Sequence, residues 1–300
     1  MLVVGSANMD LVVRTRRAPD AGETVMGLDY ATYPGGKGAN QAVAARRAGA
    51  TVAFATCLGR DAHGDALHAT LAAEGIDLSL LRRVDAASGV ALITVEEGGQ
   101  NRIVVVPGAN QDLRPERLPD PVPAGLLLAQ LEVPVETVLA AARRMRAAGG
   151  RTVLNASPVD RLDPATRADL LAETDILVVN ETEAAALLGA DSPDAAPAEM
   201  AHRLAAGRQA AIVTLGAAGV VWHAGKAGSR VEPHRVPVVD TTACGDAFAG
   251  ALATSLEAGG SIEEAVRFGN AAGALAATRT GAQPSLPTRQ AILDLLTRDT

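Results

Sequence analysis

Val238-Val239-Asp240-Thr241-Thr242-Ala243-Cys244-Gly245-Asp246-Ala247-Phe248-Ala249-Gly250 starts as an extended apolar run, led in by Val236, and passes through small and polar residues from Asp240 to Gly245. It then turns helical: Phe248, Leu252, Ser255, Leu256 and Gly259 recur at the 3.6-residue spacing of one helical face. A turn of small residues opening a helix leaves several backbone N–H groups unpaired at the positive end of the helix dipole. That arrangement binds anions. Asp246 stands at the same point, and a carboxylate beside an anion cradle suits phosphoryl transfer to an alcohol: a base for the hydroxyl proton, and fixed donors for the moving charge. The same residues also describe an ordinary acid in a first helical turn, so the rest of the chain has to decide.

Three hundred residues make one large α/β domain or two small ones, and a chain of that length buries roughly 75% of its unfolded surface. It needs no disulfide or metal staple. A hydrophobic fraction of 48% against 20% charged residues excludes a disordered chain. The net charge of −7 argues against a nucleic-acid or anionic-membrane partner, so any phosphate must be bound locally. Cys57 and Cys244 are the only cysteines, too few for a disulfide framework. The opening Met1-Leu2-Val3-Val4-Gly5 reads as a strand rather than a basic leader, and no apolar run approaches 18 residues. The expected location is cytoplasmic.

Short apolar runs recur at 2–4, 52–55, 126–129, 153–154, 176–179 and 211–213, with helical patterns between several of them, such as Val135, Val138, Leu139, Ala142 and Met145. Strands apolar on both faces and separated by helices imply a parallel sheet covered on both sides. The expected fold is α/β: a three-layer, doubly wound, mostly parallel central sheet with helices on both faces. Ligands in such folds bind beyond the carboxyl ends of the strands. There the runs are followed by Asn8 and Asp10, Glu132, Asn155, Asn180 and Glu183, and Thr214 and Gly216, a polar rim on the edge that Asp246 also faces.

Residues 11–13 with 23–33, and 90–95 with 103–106, break this rhythm and read as strands, the second pair joined by a hairpin at Glu97-Gly98-Gly99-Gln100. They suggest a small antiparallel β lid, formed by about 10–34 and 88–107, inserted in a single domain spanning 1–300. Ala91-Leu92-Ile93 and Ile103-Val104-Val105-Val106 are apolar on both faces, so one face is expected to close over substrate and the other to pack on a second subunit as a homodimer. Ile262, Ala265, Val266, Gly269 and Ala272 share one helical face, and Ala291, Ile292, Leu295 and Leu296 another. The most linker-like piece is 191–197.

The second conspicuous cluster is Gly35-Gly36-Lys37-Gly38-Ala39-Asn40-Gln41, leading into a helix over 39–47. No Ser or Thr follows the lysine, so it is not a Walker loop, and the strand-to-Gly-x-Gly-x-x-Gly order of a dinucleotide site is absent. The glycines allow close backbone approach to a hydroxylated ligand, with Asn40 as donor and acceptor. Lys37 is one of two lysines, with Lys226, in a chain that otherwise uses arginine, which suggests that a compact ammonium is wanted there.

These stretches resemble the ribokinase family of PfkB-type carbohydrate kinases. Pro34-Gly35-Gly36-Lys37-Gly38-Ala39-Asn40-Gln41-Ala42-Val43-Ala44 and Asp240-Thr241-Thr242-Ala243-Cys244-Gly245-Asp246-Ala247-Phe248 match its two signatures. Ser6-Ala7-Asn8-Met9-Asp10, Gly22-Glu23-Thr24-Val25, Pro107-Gly108-Ala109-Asn110, Gln130-Leu131-Glu132, Asn180-Glu181-Thr182-Glu183 and Thr214-Leu215-Gly216 fit in the same order, so the likeness runs from the first strand to Pro287. The resemblance implies ATP-dependent phosphorylation of the ribose 5-hydroxyl. It makes Asp246 the base, with the N–H groups of Ala243, Cys244, Gly245 and Asp246 as anion hole. Asn8, Asp10, Gly36, Lys37, Gly38, Asn40 and Glu132 would hold the sugar. Asn180, Thr214, Leu215, Gly216, Gly219, Gly245 and Asn270 would hold the nucleotide, and Glu183 would act on Mg²⁺ through water. The resemblance also implies a monovalent cation, usually K⁺, held by Asp240, Thr242, Ala276, Arg279, Gly281 and Ser285. Cys244 departs from the family's usual alanine or glycine; a thiol at a helix N-terminus is expected to have a lowered pKa and to oxidise readily.

The alternatives are a kinase of the same fold for deoxyribose, another sugar or a nucleoside, and a sugar or nucleotide sensor without turnover. A Cys244 hydrolase is a third, for which none of the five histidines is placed as base.

Overall fold

A computed structural model describes residues 1–122, 125–189 and 195–298; most of the expected linker, 191–194, lies outside the described residues. Every apolar run became a strand of one sheet: β1 (Leu2–Val4), β4 (Ala53–Ala55), β9 (Leu126–Ala129), β10 (Arg151–Asn155), β11 (Ile176–Asn180) and β12 (Ala210–Thr214). These pair in parallel in the order β4-β1-β9-β10-β11-β12. An antiparallel hairpin that the sequence reading did not anticipate, β13 (Val220–Ala224) and β14 (Ala227–Val231), extends the β12 edge.

Alternate residues of these strands feed two separate cores. Val3, Leu128, Val153, Ile176 and Ile212 pack with α1 (Lys37–Ala48), α7 (Cys244–Glu257), α8 (Ile262–Ala276) and Ile292 of α9 (Arg289–Arg298). Leu2, Leu127, Leu154, Leu177 and Val213 pack against α3 (Val135–Ala147), α4 (Pro164–Ala172), α5 (Glu181–Leu188) and α6 (Pro197–Leu204) on the opposite face. Burial on both faces is why the strands read as continuous apolar runs rather than as alternating ones.

Two features of this packing build the site. The chain leaves β1 toward β4 on one side and β9 on the other, so the crevice beyond the ends of β1 and β9 is a topological switch point. The second is the close approach of α1 and α7. A Cβ at Gly250 would stand 2.6 Å from Cβ of Ala44 and 2.7 Å from the Gln41 carbonyl oxygen. Only a residue without a side chain lets the start of α7 lie against Asn40 and Gln41.

The strands expected to form the lid make a separate sheet, β3-β2-β7-β8, from β2 (Asn8–Thr15), β3 (Asp29–Gly35), β7 (Gly89–Glu96) and β8 (Asn101–Val106). Its outer pairs are antiparallel as expected, but the central pair, β2 with β7, is parallel, which corrects the expectation of an antiparallel lid. The reason is topological. The chain returns to the main layer through α1 and α2 (Ala62–Ala73) between β2 and β7, so both strands enter the lid from the same edge.

Residues 23–28 are not strand, and neither are 236–239. Pro237 has no N–H to donate, and the backbone bonds made nearby are those of the Val239 and Asp240 N–H groups to the Ala277 carbonyl. A further parallel pair, β5 (Cys57–Gly59) with β6 (Arg82–Val84), lies apart from both sheets.

Candidate active site

Ala243, at the N-cap of α7, is the one non-glycine residue with positive φ among the described residues (φ 58, ψ 10). Such left-handed strain persists only where the surroundings over-determine it. Here the kink starts the helix without a side-chain cap. The Cys244 N–H donates to the Thr241 carbonyl at 3.3 Å, whereas those of Gly245 and Asp246 have no acceptor among the described residues. Two N–H groups at the positive end of a fourteen-residue helix are thus open toward a cavity of about 220 Å³. Lys37, Asn155, Asn180, Glu183, Thr214, Ala243, Gly245 and Asp246 line it.

Asp246 is buried, and each of its carboxylate oxygens accepts one amide hydrogen. Asn40 donates Nδ2 to Oδ2 at 2.9 Å, and Gln41 donates Nε2 to Oδ1 at 2.9 Å. Burial pushes its carboxyl above the ordinary carboxylate range, against the pull of the Lys37 ammonium and the two amides. At Lys37 burial works against the charge, but Asp246, Glu132 and Glu183 outweigh it and hold the ammonium above its ordinary value.

The other expected sugar ligands adjoin this pair. Glu132 Oε2 accepts from the Ser6 hydroxyl (2.5 Å), the Lys37 N–H (3.1 Å) and Asn8 Nδ2 (3.5 Å), which ties the end of β9 to the start of α1. Asn8 Oδ1 accepts from Asn110 Nδ2 at 2.7 Å. Asp10 is raised to about 7 by burial first, then by the nearby charges of Glu132 and Asp246. The glycines of this segment serve the chain before any ligand. A Cβ on Gly36 would meet the Asn8 nitrogen at 2.6 Å, and one on Gly38 would lie 2.5 Å from Gly5 and Ser6 backbone. The close approach read from the sequence is therefore made by the backbone of 5–8.

On the nucleotide side, Asn180 caps α5 and forms a reciprocal capping box with Glu183, at 2.8 and 2.9 Å. One Glu183 oxygen is thus committed to holding the helix start. Thr214 ends β12 and reaches the cavity, while Leu215, Gly216 and Gly219 form the next turn, both glycines at positive φ and Leu215 N–H donating to the Gly219 carbonyl at 2.8 Å. Asn270 on α8 does not line the cavity; its Nδ2 donates to the Glu232 carbonyl at 2.8 Å. The Cys244 thiol is pushed up to about 11, by burial first and then by Asp240 and Asp246, the opposite direction to the lowered pKa expected for it. Desolvation and two nearby carboxylates outweigh the helix dipole.

Asp240 touches two of the remaining candidates, Thr242 and Gly281. Oδ1 accepts from the N–H (2.9 Å) and hydroxyl (2.6 Å) of Thr242, and Oδ2 from the Gly281 N–H (2.8 Å). Although burial opposes it, these bonds hold the carboxyl below its ordinary value. Gly281, at φ +90, turns the 276–285 segment back onto Asp240; there Arg279 N–H donates to the Ala276 carbonyl and the Ser285 hydroxyl to the Ala282 carbonyl.

Gln41, Gln130, Asn155 and Asn110 form the buried amide framework behind these groups and were not assigned roles from the sequence. Their only local signal was position: each stands in a matched motif or directly after a strand. A larger cleft of about 970 Å³, between 230–235, α8 and α9, contains none of the expected site residues.

The pfkB family carbohydrate kinase model matches residues 1–289. The chain is 40% identical to the ribokinase of Haemophilus influenzae over 305 residues, covering 99% of this chain and 98% of that protein. To the ribokinase of Bacillus subtilis it is 38% identical over 299 residues, 98% of each. The crystal structure of Thermotoga maritima ribokinase superposes with a TM-score of 0.90 at 36% identity, covering 99% of this chain and 98% of the other. Arabidopsis thaliana ribokinase, complexed with ribose and ATP, superposes at 0.84 with 33% identity, covering 98% and 97%. With a buried carboxylate beside an open helix N-terminus and this likeness along nearly its whole length, the chain belongs to the pfkB family of carbohydrate kinases.

Proposed function

We propose that the chain transfers the γ-phosphoryl group of ATP to the 5-hydroxyl of D-ribose, giving ribose 5-phosphate. The observation that carries this reading is Asp246, buried and held through both oxygens, one residue from the open N–H of Gly245. Its carboxylate takes the hydroxyl proton as the oxygen attacks in line, while the N–H groups of Gly245 and Asp246 hold the charge on the transferred group. Lys37 offsets the surrounding carboxylates and lines the cavity.

Asn8, Asp10, Asn40 and Glu132 hold the sugar hydroxyls, with the backbone of Gly36 and Gly38 closing one side. Asn40 Oδ1 supports this role, because it is buried without a hydrogen-bond partner among the described residues and would accept a hydroxyl proton. Asn180, the turn from Thr214 to Gly219, and Asn270 hold the nucleotide. Mg²⁺ would come with the ATP phosphates and neutralise their charge, and Glu183 on the cavity wall would reach it through water. For K⁺ a charged Asp240, with the 276–285 loop folded against it through the Gly281 N–H, would supply carboxylate and carbonyl oxygens, and a cation there would steady the turn that aims the N–H groups. The lid, with its exposed apolar β8, supports a homodimer, and use of ATP supports a cytoplasmic location. No helix among the described residues is long and apolar enough to cross a membrane.

The test is kcat/KM for ribose, 2-deoxyribose, fructose and nucleosides by coupled ADP release, with K⁺ and with Na⁺, and the product's phosphorylated carbon read by NMR. Ribose should lead, with K⁺ raising the rate. A clear preference for a nucleoside, or phosphate on another carbon, would overturn the assignment.

A further inference from the structure

Gln41 is fully buried on α1 and uses every polar group of its side chain. Its Oε1 accepts from Gln130 Nε2 at 2.6 Å, and its Nε2 donates both to Asn155 Oδ1 and to Asp246 Oδ1, each at 2.9 Å. Gln130 follows β9 and Asn155 ends β10, so the ends of two central strands fix which way the Gln41 amide points. With its oxygen taken by a donor, Gln41 can present only hydrogen to Asp246. Asn40, whose unpartnered Oδ1 belongs to the proposed sugar site, holds the other oxygen.

We infer that Gln41 is a positioning residue that gives the two oxygens of Asp246 different work: Oδ1 is anchored to the strand ends, and Oδ2 takes the proton. This rests on the reading of Asp246 as base. A donor on Oδ1 favours the ionised carboxylate and prevents rotation that would exchange the oxygens. The packing of α1 against Gly250 of α7 keeps the two helices from sliding past this contact. The charged or titratable groups around Asp246 are Lys37 on α1, Asp10 on β2, Glu132 after β9 and Cys244 on α7. Gln41, like Asn40, meets Asp246 as an uncharged amide, so its replacement by methionine changes no charge.

The experiment measures kcat, ribose KM, melting temperature and the kcat–pH profile of Gln41→Met, with Asp246→Asn in parallel. Gln41→Met should lower kcat about 10- to 100-fold, the range expected for a lost bond to a charged group. Ribose KM should stay within about threefold, and the acid limb of kcat should move to higher pH, because the carboxylate loses a donor. A folded Gln41→Met with an unmoved acid limb overturns the inference, and so does a change confined to KM and melting temperature. Should that variant not fold, Gln130→Met decides by the same readings. It frees the Gln41 amide to turn while leaving Asp246 untouched, and a smaller shift in the same direction is expected. If Asp246→Asn keeps its rate, the base reading itself fails. If Asp246→Asn is inactive while the acid limb of Gln41→Met stays in place, only the positioning role is lost.

Discussion

Asn40 donates Nδ2 to Oδ2 of Asp246 at 2.9 Å, and its own Oδ1 is buried with no partner among the described residues. The two facts are linked, because the amide cannot turn to satisfy its oxygen without giving up the carboxylate. An orphaned buried acceptor costs about 1–3 kcal/mol, and a sugar hydroxyl would relieve that cost on binding. Asn40→Ala should therefore act on both kinetic parameters. Ribose KM should rise roughly tenfold or more, and kcat should fall because Oδ2 loses its donor. Initial rates over a ribose titration check this; a change in kcat alone would separate Asn40 from the sugar.

Asp10 ties stability to pH. Its folded-state pKa of about 7 lies above the ordinary 3.8, so the folded protein holds this proton more tightly than the unfolded chain. The resulting stabilisation is complete below about pH 3.8, declines as pH rises, and is lost beyond about 7. The difference of 7 − 3.8 corresponds to about 4 kcal/mol in total. Asp10→Asn should thus raise the melting temperature of the ligand-free protein at pH 8 while weakening ribose binding. Ribose KM of the unsubstituted enzyme should fall between pH 6 and 8, because hydroxyl donors favour the ionised carboxylate. Thermal melts and KM at several pH values test both.

With its thiol pushed up to about 11, Cys244 should be roughly 0.1% thiolate at pH 8 and react slowly with iodoacetamide. Cys244→Ala should retain near-full kcat, since position 244 contributes backbone to the turn. Labelling followed by mass spectrometry measures the rate. Modification as fast as that of a free cysteine would restore the idea of a reactive thiol.

Gly250 decides whether α7 can approach α1. Alanine there would press on Ala44 and on backbone atoms of Gln41 and Ala45 within 2.8 Å, and overpacking of this kind costs about 1–3 kcal/mol. Gly250→Ala should lower stability in denaturant melts and reduce kcat more than nucleotide affinity, as Asp246 moves away from Asn40 and Gln41.

All six residues of β8 are exposed, among them Ile103 (51%) and Val104 (61%), with Leu92 of β7 beside them. A bare apolar edge strand invites pairing with another chain. If the proposed dimer pairs through this edge, Val104→Glu should yield a monomer in sedimentation equilibrium, with little loss of monomer stability. A unsubstituted protein that is monomeric at micromolar concentration would remove the dimer proposal.

Much of the fold was legible from local pattern. Runs such as 126–129 and 176–179 announce strands buried on both faces, and small residues before Asp246 announce an uncapped helix start, because periodicity and turn chemistry are properties of neighbours in sequence. The site's wiring is different in kind. Asn40 and Gln41 meet Asp246 across 206 and 205 residues, and the parallel pairing of β2 with β7 depends on where the chain re-enters the lid. The Cys244 thiol rises rather than falls because folding removes water and brings up Asp240 and Asp246. The sequence determined the parallel strands, the helices packed on them and the kinds of groups at the strand ends. The tertiary structure alone decided which of those groups touch and how strongly burial shifts their protons, since desolvation and long-range contact exist only once the layers have packed.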